Sequence, residues 1–171
     1  MQTIDQASEY QWYALYTASR AEKKVKDRFE KENIAHYLPL HEVTRIWSDR
    51  KKKVIVPVIN GYIFVCITLD EMRKVKQIPG VVQFVRDKGA PAVIPESQVR
   101  NMQLMVDKST EEVEFTLEEI QPGISVRITQ GELEGLYGEL VKIRGKYKVV
   151  VRLDKFGCAM TTVPISAIEK V

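Results

Sequence analysis

His36 and His41 are the two histidines of the chain, five positions apart across Pro39, with Glu42 next to the second. A zinc hydrolase needs two histidines one helical turn apart with a glutamate beside the first, and a structural zinc site needs clustered cysteines. Neither pattern is present, so both histidines read as structural. Gly135-Leu-Tyr-Gly138 lacks the spacing of a phosphate-cradling loop and follows no strand that opens a helix, which leaves it as a turn. The glutamates between Glu111 and Glu119 lie in one acidic run, where solvated charge is the simplest account. No constellation supports catalysis, and no metal or cofactor is expected.

What the residues offer instead is binding. Lys24, Arg28 and Lys31 stand at spacings of four and three, which gathers three cations on one helical face. Such a face is either simply solvated or a contact for phosphates. Arg50-Lys51-Lys52-Lys53 concentrates positive charge at a hairpin, with Arg45 on the facing strand. That cluster suits phosphate contacts, and it is also what an edge hairpin carries to resist aggregation. Tyr16, Tyr62 and Phe64 belong to two strand-like runs. On a sheet face left uncovered they would form an apolar patch for a protein partner; under a helix they would be core.

The elements that must position these residues are legible in outline. The aromatic run from Trp12 to Thr17 reads as a strand. Ser19, followed three residues later by Glu22, predicts a capping box, and Ala21, Val25 and Phe29 at spacings of four predict the buried stripe of a helix over 20–33. Residues 34–40 read as a strand stopped at Pro39. A hairpin follows, 42–47 and 51–58, turning at Ser48-Asp49-Arg50. Gly61 to Leu69 is the most apolar strand and therefore central. A short helix capped by Asp70 ends at Pro79-Gly80, which launches a strand over 81–86 with Val82, Phe84 and Arg86 on one side. Pro95 opens a third helix whose stripe is Val99, Met102 and Met105/Val106. The order β-α-β-β-β-α-β-α predicts one antiparallel sheet with helices on a face.

The chain has 171 residues, 29% charged and 44% hydrophobic, which is room for one domain or two small ones. No apolar run approaches the roughly 20 residues of a membrane span, and the start lacks the basic and apolar regions of a secretory signal; a cytoplasmic protein with no membrane partner is expected. Cys66 and Cys158 allow one disulfide by parity, but so few cysteines in a chain this long favour buried free thiols. Charge is segmental. Residues 1–108 carry 18 Lys and Arg against 13 Asp and Glu, residues 109–121 carry five Glu and no base, and residues 122–171 carry 8 against 5. The acidic strip ends at Pro122-Gly123, where a boundary is expected. Beyond it, Ile124, Val126 and Ile128 alternate with polar residues, Gly131, Gly135 and Gly138 mark turns, and further short apolar runs predict a small barrel. The predicted fold class is α+β, organised as a disordered start at 1–10, a sheet-and-helix domain at 11–108, an acidic linker at 109–121 and a β-barrel at 122–171.

Trp12-Tyr13 with Tyr16-Thr17, Glu22-Lys-Lys-Val25, Leu38-Pro39, Asn60-Gly-Tyr-Ile-Phe-Val65, Pro79-Gly-Val-Val82 with Phe84-Val85, Gly123-Ile-Ser-Val126, Gly131, Gly135, Gly138, Phe156-Gly157 and Ile168-Glu-Lys-Val171 resemble, in order and spacing, the NusG family of transcription elongation factors. The resemblance spans residues 11–171 and implies an NGN-like α/β sandwich followed by a KOW β-barrel. Two departures, together with the Ile94-Pro95 entry into the third helix, make the chain similar to a specialised paralogue, the antiterminators of capsular polysaccharide loci of the UpxY type and more distantly RfaH. Ile59-Asn60-Gly61-Tyr62 stands where the family often has Phe-Pro-Gly-Tyr, and Arg20 stands where it has glycine. The resemblance implies binding to the clamp region of RNA polymerase through Tyr16, Ile59, Tyr62, Phe64 and Phe84. It also implies a second polymerase contact at Arg73 and Lys74, charged here where those relatives carry hydroxyls. Non-template DNA or nascent RNA would meet Lys24, Arg28 and Lys31, with the hairpin's Arg50, Lys51, Lys52 and Lys53. The KOW barrel would meet a ribosomal protein or Rho through Leu133, Leu136 and Phe156. The implied role is antitermination at a subset of operons by a monomeric, non-enzymatic factor. Two alternatives stand beside it: a housekeeping NusG-type elongation and termination factor, and a KOW-type RNA-binding or ribosome-associated protein.

Overall fold

The computed structural model describes residues 9–171. The disordered start expected at 1–10 lies, for residues 1–8, outside the described residues. In chain order the elements are β1 (Gln11–Thr17), α1 (Glu22–Lys31), β2 (Ala35–Tyr37), β3 (Leu40–Trp47), β4 (Arg50–Pro57), β5 (Tyr62–Ile67), α2 (Met72–Lys76), β6 (Val81–Phe84), β7 (Arg86–Asp87), β8 (Ala90–Pro91) and β9 (Val93–Ile94). They continue as α3 (Glu96–Lys108), β10 (Glu114–Thr116), β11 (Ile124–Ile128), β12 (Tyr137–Ile143), β13 (Lys146–Leu153), β14 (Gly157–Thr161) and β15 (Ile168–Lys170). The fold is α+β, and its contacts divide it into two units: residues 9–39 with 59–96, and residues 40–58 with 97–171. Among the described residues no helix is long and apolar enough to cross a membrane. Cys66, half-buried, and Cys158, buried, are free thiols.

The first unit is built on an antiparallel sheet in the order β2-β5-β1-β6, with β9 also paired to β1. Strand β5 lies inside the sheet as its apolar composition requires, and Ile63, Phe64, Val65 and Ile67 are fully buried. The stripe of α1 lands on this core: Val25 and Phe29 are fully buried, and the Phe29 ring lies 5.9 Å from that of His36. The predicted capping box does not form. The N-cap is Ala21, no side chain caps the helix, and Arg20 takes a left-handed φ of 57° that turns the chain into α1. Glu22 is drawn away from its own helix by a tertiary donor, the backbone N–H of Gly61. Asp70 likewise caps nothing by its side chain; a 3-10 turn at Leu69–Glu71 runs into α2 instead.

The expected alternation of Val82 and Phe84 also fails. Leu15 faces Phe84 and Tyr16 faces Gln83, but Thr17 faces Val81, so the register slips by one residue and Val82 is left over. The irregularity turns Val82 out to solvent while Phe84 stays in the core.

The second unit holds the two-stranded ribbon β3-β4, the body of α3 and a six-stranded antiparallel sheet in the order β10-β14-β13-β12-β11-β15. Val99, Met102 and Met105 are buried at the predicted spacing. On one face of the sheet Val126, Ile128, Val149, Val151, Leu153 and Ala159 are buried. Ile124, which alternation assigns to them, is 51% exposed at the strand's start. Val150, Cys158 and Met160, on the other face, form a second buried cluster with Ile120, Val141 and Ile143 against it. This accounts for β10 within the stretch expected to be linker. Glu114 pairs in register with Met160 and Thr116 with Cys158, and the Glu114 carboxylate meets Lys148 Nζ at 2.6 Å. Glu114 of the strip thus reaches a base on β13, and Ile120 meets the cluster. Across β12 and β13, Arg152 Nε and Nη2 donate to the two carboxyl oxygens of Glu139 at 2.9 and 3.2 Å. Burial pushes the Glu139 carboxyl up, but this fork and the Gly123 N–H outweigh it and hold the group below its ordinary value.

Gly80 marks the closest approach of a turn to α1. Its φ is +95°, and a Cβ there would lie 2.7 Å from Val25 Cγ2. Gly61, with φ +82°, has open space around a Cβ. Gly80→Ala therefore combines left-handed strain with overpacking and is expected to cost about 2–4 kcal/mol. Gly61→Ala pays the backbone term alone, about 1–2 kcal/mol; urea unfolding of the two variants measures the difference.

Candidate functional site

Three of the aromatic positions singled out by the sequence converge through strand register. Tyr16 lies opposite Tyr62, Ala14 opposite Phe64 and Trp12 opposite Cys66, while Tyr37 of β2 lies opposite Phe64 on its other side. Residues directly across an antiparallel pair share a face, so Trp12, Tyr16, Tyr37, Tyr62, Phe64 and Cys66 line one side of the sheet. His36, whose ring meets Phe29 of α1, belongs to the opposite side. The face is graded. Phe64 is fully buried with its ring stacked 6.3 Å from that of Tyr37, whereas Tyr16 and Tyr62 are half-buried with centroids 4.8 Å apart and planes tilted by 45°. Burial first, then the hydrogen bond with Tyr16, pushes the Tyr62 phenol up to about 12.

This pair is set by the turn that precedes β5. The carboxyl oxygen Oε1 of Glu22, a residue only 7% exposed, accepts the Gly61 N–H at 2.7 Å. The Thr17 N–H donates to the Gly61 carbonyl at 2.9 Å, so both backbone groups of Gly61 are tied down. Ile59, 5% exposed, anchors the other end of the same turn in the core.

The remaining predicted positions divide. Phe84 pairs with Leu15, on the sheet face opposite Tyr16 and Tyr62, and its ring meets Tyr13 edge-on at 5.7 Å. At 2% exposure it is a core residue and not part of the tyrosine surface, because alternation on β1 sends neighbours 15 and 16 to opposite sides. Arg73 and Lys74 are exposed on α2, with Lys74 Nζ 3.3 Å from Glu32. Of the helical cations, Lys24 and Lys31 are exposed. Arg28 is committed to structure: its Nη1 donates to the Pro79 carbonyl at 2.6 Å, holding the turn that carries Gly80. Arg50, Lys51, Lys52 and Lys53 are all exposed on β4. Leu136 is fully buried and Leu133 nearly so, both packed inside the C-terminal unit, and only Phe156 of that trio retains partial exposure. The sequence reading missed Glu22 as a tertiary clamp and Trp12 and Tyr37 as members of the face. Strict alternation within Trp12–Thr17 carried the signal for Trp12; no local pattern could supply Glu22, whose partner is 39 residues away.

The family described as "Transcription termination factor nusG" matches residues 10–103. The chain is 31% identical over 164 residues to the transcription termination/antitermination protein NusG of Staphylococcus epidermidis, covering 85% of this chain and 87% of that one. It is 28% identical over 162 residues to the protein of the same description from Rickettsia conorii, covering 87% and 83%. A solved structure of Thermotoga maritima NusG matches with a TM-score of 0.54 at 22% identity over 95% of this chain and 98% of that one, a likeness of fold.

The Tyr62 phenol returns to about 10 when the chain unfolds. A phenol whose pKa is raised in the folded state stabilises it fully below pH 10, and that contribution is lost as pH rises from about 10 through about 12. Tyr62→Phe is expected to flatten the fall in stability over that window, read by urea unfolding at stepped pH. Glu22→Ala leaves a buried N–H unanswered and is expected to cost about 1–3 kcal/mol, with Glu22→Gln retaining most of the stability.

Proposed function

The chain belongs to the NusG family, a transcription termination/antitermination factor by kind, and on that premise we propose that it binds RNA polymerase in the clamp region and suppresses pausing and termination at a subset of operons, those for capsular or other surface polysaccharides. The observation that carries the polymerase contact is the Tyr16–Tyr62 pair. It is apolar, half-buried, on the sheet face opposite α1, and braced by the Glu22–Gly61 bond. Phe64 and Ile59 support it from within, and Arg73 and Lys74 supply a second, charged contact. Residues 11–108 act as an NGN-like domain and 122–171 as a KOW-type domain, joined by the acidic segment 109–121. The KOW-type domain presents Phe156 to a ribosomal protein or to Rho.

Locus choice rests on Lys24 and Lys31, whose exposed ammonium groups stand free of the turn contact that occupies Arg28, together with the basic hairpin. Non-template DNA or nascent RNA is the partner of these cations. The mechanism needs no chemistry. A factor that binds the elongating state of the polymerase better than the paused state shifts that equilibrium by the difference in affinity. About 1.4 kcal/mol changes the occupancy ratio tenfold.

In vitro transcription with purified polymerase on the protein's own operon leader and on an unrelated leader tests the reading. Readthrough enhanced on its own leader alone is the expected result. Equal effects on both templates would replace it with the general elongation factor, a reading favoured by the similarity to the staphylococcal and rickettsial NusG proteins. Tyr16→Ala with Tyr62→Ala is expected to weaken polymerase binding about 10- to 100-fold, and Lys24→Ala with Lys31→Ala to remove the preference between leaders while leaving polymerase affinity in place.

A further inference from the structure

The ribbon β3-β4 places an aromatic residue among cations. Its strands pair from Leu40–Pro57 to Trp47–Arg50 across a turn at Ser48-Asp49. At about 3.4 Å per residue the eight-residue strands form an arm of about 25 Å. Over its outer half every residue is exposed, from Thr44 to Lys53. The register sorts these residues. Trp47 lies opposite Arg50 and Arg45 opposite Lys52, on one face; Ile46 lies opposite Lys51 and Thr44 opposite Lys53, on the other. One face therefore presents an indole, 62% exposed, bordered by Arg45, Arg50 and Lys52. None of these three cations forms an ion pair with another described residue.

Protection of a ribbon edge accounts for the lysines. It does not account for a tryptophan held in solvent two positions along the strand from Arg45 and directly across from Arg50. We propose that this face binds a single-stranded nucleic acid, the Trp47 indole stacking on an unpaired base while Arg45, Arg50 and Lys52 contact the flanking phosphates. Stacking on an aromatic side chain needs a free base face, which a duplex has already covered, and it tolerates any base because every base has one. Arg45 and Trp47 are about 6.8 Å apart along the strand, and long guanidinium and ammonium arms reach the phosphates on either side of a stacked base. An acidic peptide would satisfy the cations and leave the indole in water. The inference rests on the nucleic-acid role proposed above and narrows it to one face, one ligand class and a residue, Trp47, outside the basic run.

The test is fluorescence anisotropy of the full chain with labelled DNA and RNA single strands of about 20 nucleotides and one mixed sequence, and with the blunt duplex of that sequence, across a salt series. The single strands are expected to bind at least about tenfold more tightly than the duplex. Trp47→Ala is expected to weaken single-strand binding about tenfold or more with the salt slope unchanged, and Trp47→Phe to restore most of it. Arg45→Ala, Arg50→Ala and Lys52→Ala together are expected to flatten the slope of log K against log salt by about 2. The ratio of DNA to RNA affinity identifies the source of the strand. Duplex bound as well as single strand, or Trp47→Ala without effect, overturns the proposal. Binding lost in the Lys24/Lys31 variant and kept in the hairpin variants also overturns it, while leaving the broader function standing. Binding lost in the hairpin variants with leader-specific readthrough unchanged upholds the proposal and removes nucleic acid at the hairpin from the mechanism of recruitment.

Discussion

The bond between the Glu22 carboxyl and the Gly61 N–H is the constraint on which the tyrosine face of the first unit depends. It joins the first turn of α1 to the turn that launches β5, two places far apart in sequence, through a carboxylate that is only 7% exposed. A buried N–H that found no acceptor would cost more than the bond returns, so the turn has one comfortable position. With Thr17 holding the Gly61 carbonyl, that position sets the register of β1 against β5. Tyr62 then falls opposite Tyr16. Arg28 and Gly80 do comparable work at the other edge of α1, where the Pro79 carbonyl is held and a side chain at 80 would collide with Val25.

The two units bury their apolar surface in different ways. In the first, α1 sets Val25 and Phe29 into the core on one side of the sheet, while the other side grades from the fully buried Phe64 to tyrosines whose rings keep some contact with water. In the second, the sheet is buried on both faces, and the acidic segment supplies part of the cover through Ile120 and the added strand β10. A strip rich in glutamate is a poor core former, yet Glu114 pairs with Lys148 of β13 and Ile120 packs against the cluster around Val150. The second unit also projects the ribbon β3-β4, whose outer half has no core beneath it. There, side-chain chemistry is free of packing, and aromatic and cationic residues stand together in solvent.

Local periodicity made much of this readable in advance. The stripe Val25–Phe29, the stripe Val99–Met102–Met105 and the apolar strand at 62–67 follow from spacing, because each is a pattern that only one secondary structure can bury; the ribbon follows from alternation on either side of a turn expected at Ser48-Asp49-Arg50, although Arg50 proves to be the first residue of β4. Composition and order gave the α+β class. The misses share a different character. The capping box at Ser19 and Glu22 is locally sound, and it lost to a donor 39 residues distant. Val82 and Phe84 follow strict alternation until a one-residue slip against β1 separates them. Leu133 and Leu136, which the resemblance implied as contact residues, are buried in the second unit.

The amino-acid sequence by itself determined most of the helices and strands and where charge concentrates, because these depend on residue type and on periods of 2 or 3.6 along the chain. Only the tertiary structure decided which side chains meet across the chain: that Tyr16 and Tyr62 face each other while Phe84 turns away, that Arg28 is occupied where Lys24 and Lys31 are exposed, and that Arg50 and Lys52 stand opposite Trp47 and Arg45. Register between strands distant in sequence makes those choices. A shift of one residue exchanges the two faces of a strand, and what fixes the shift is the long-range satisfaction of buried polar groups and the fit of one core, neither of which any short stretch of sequence contains.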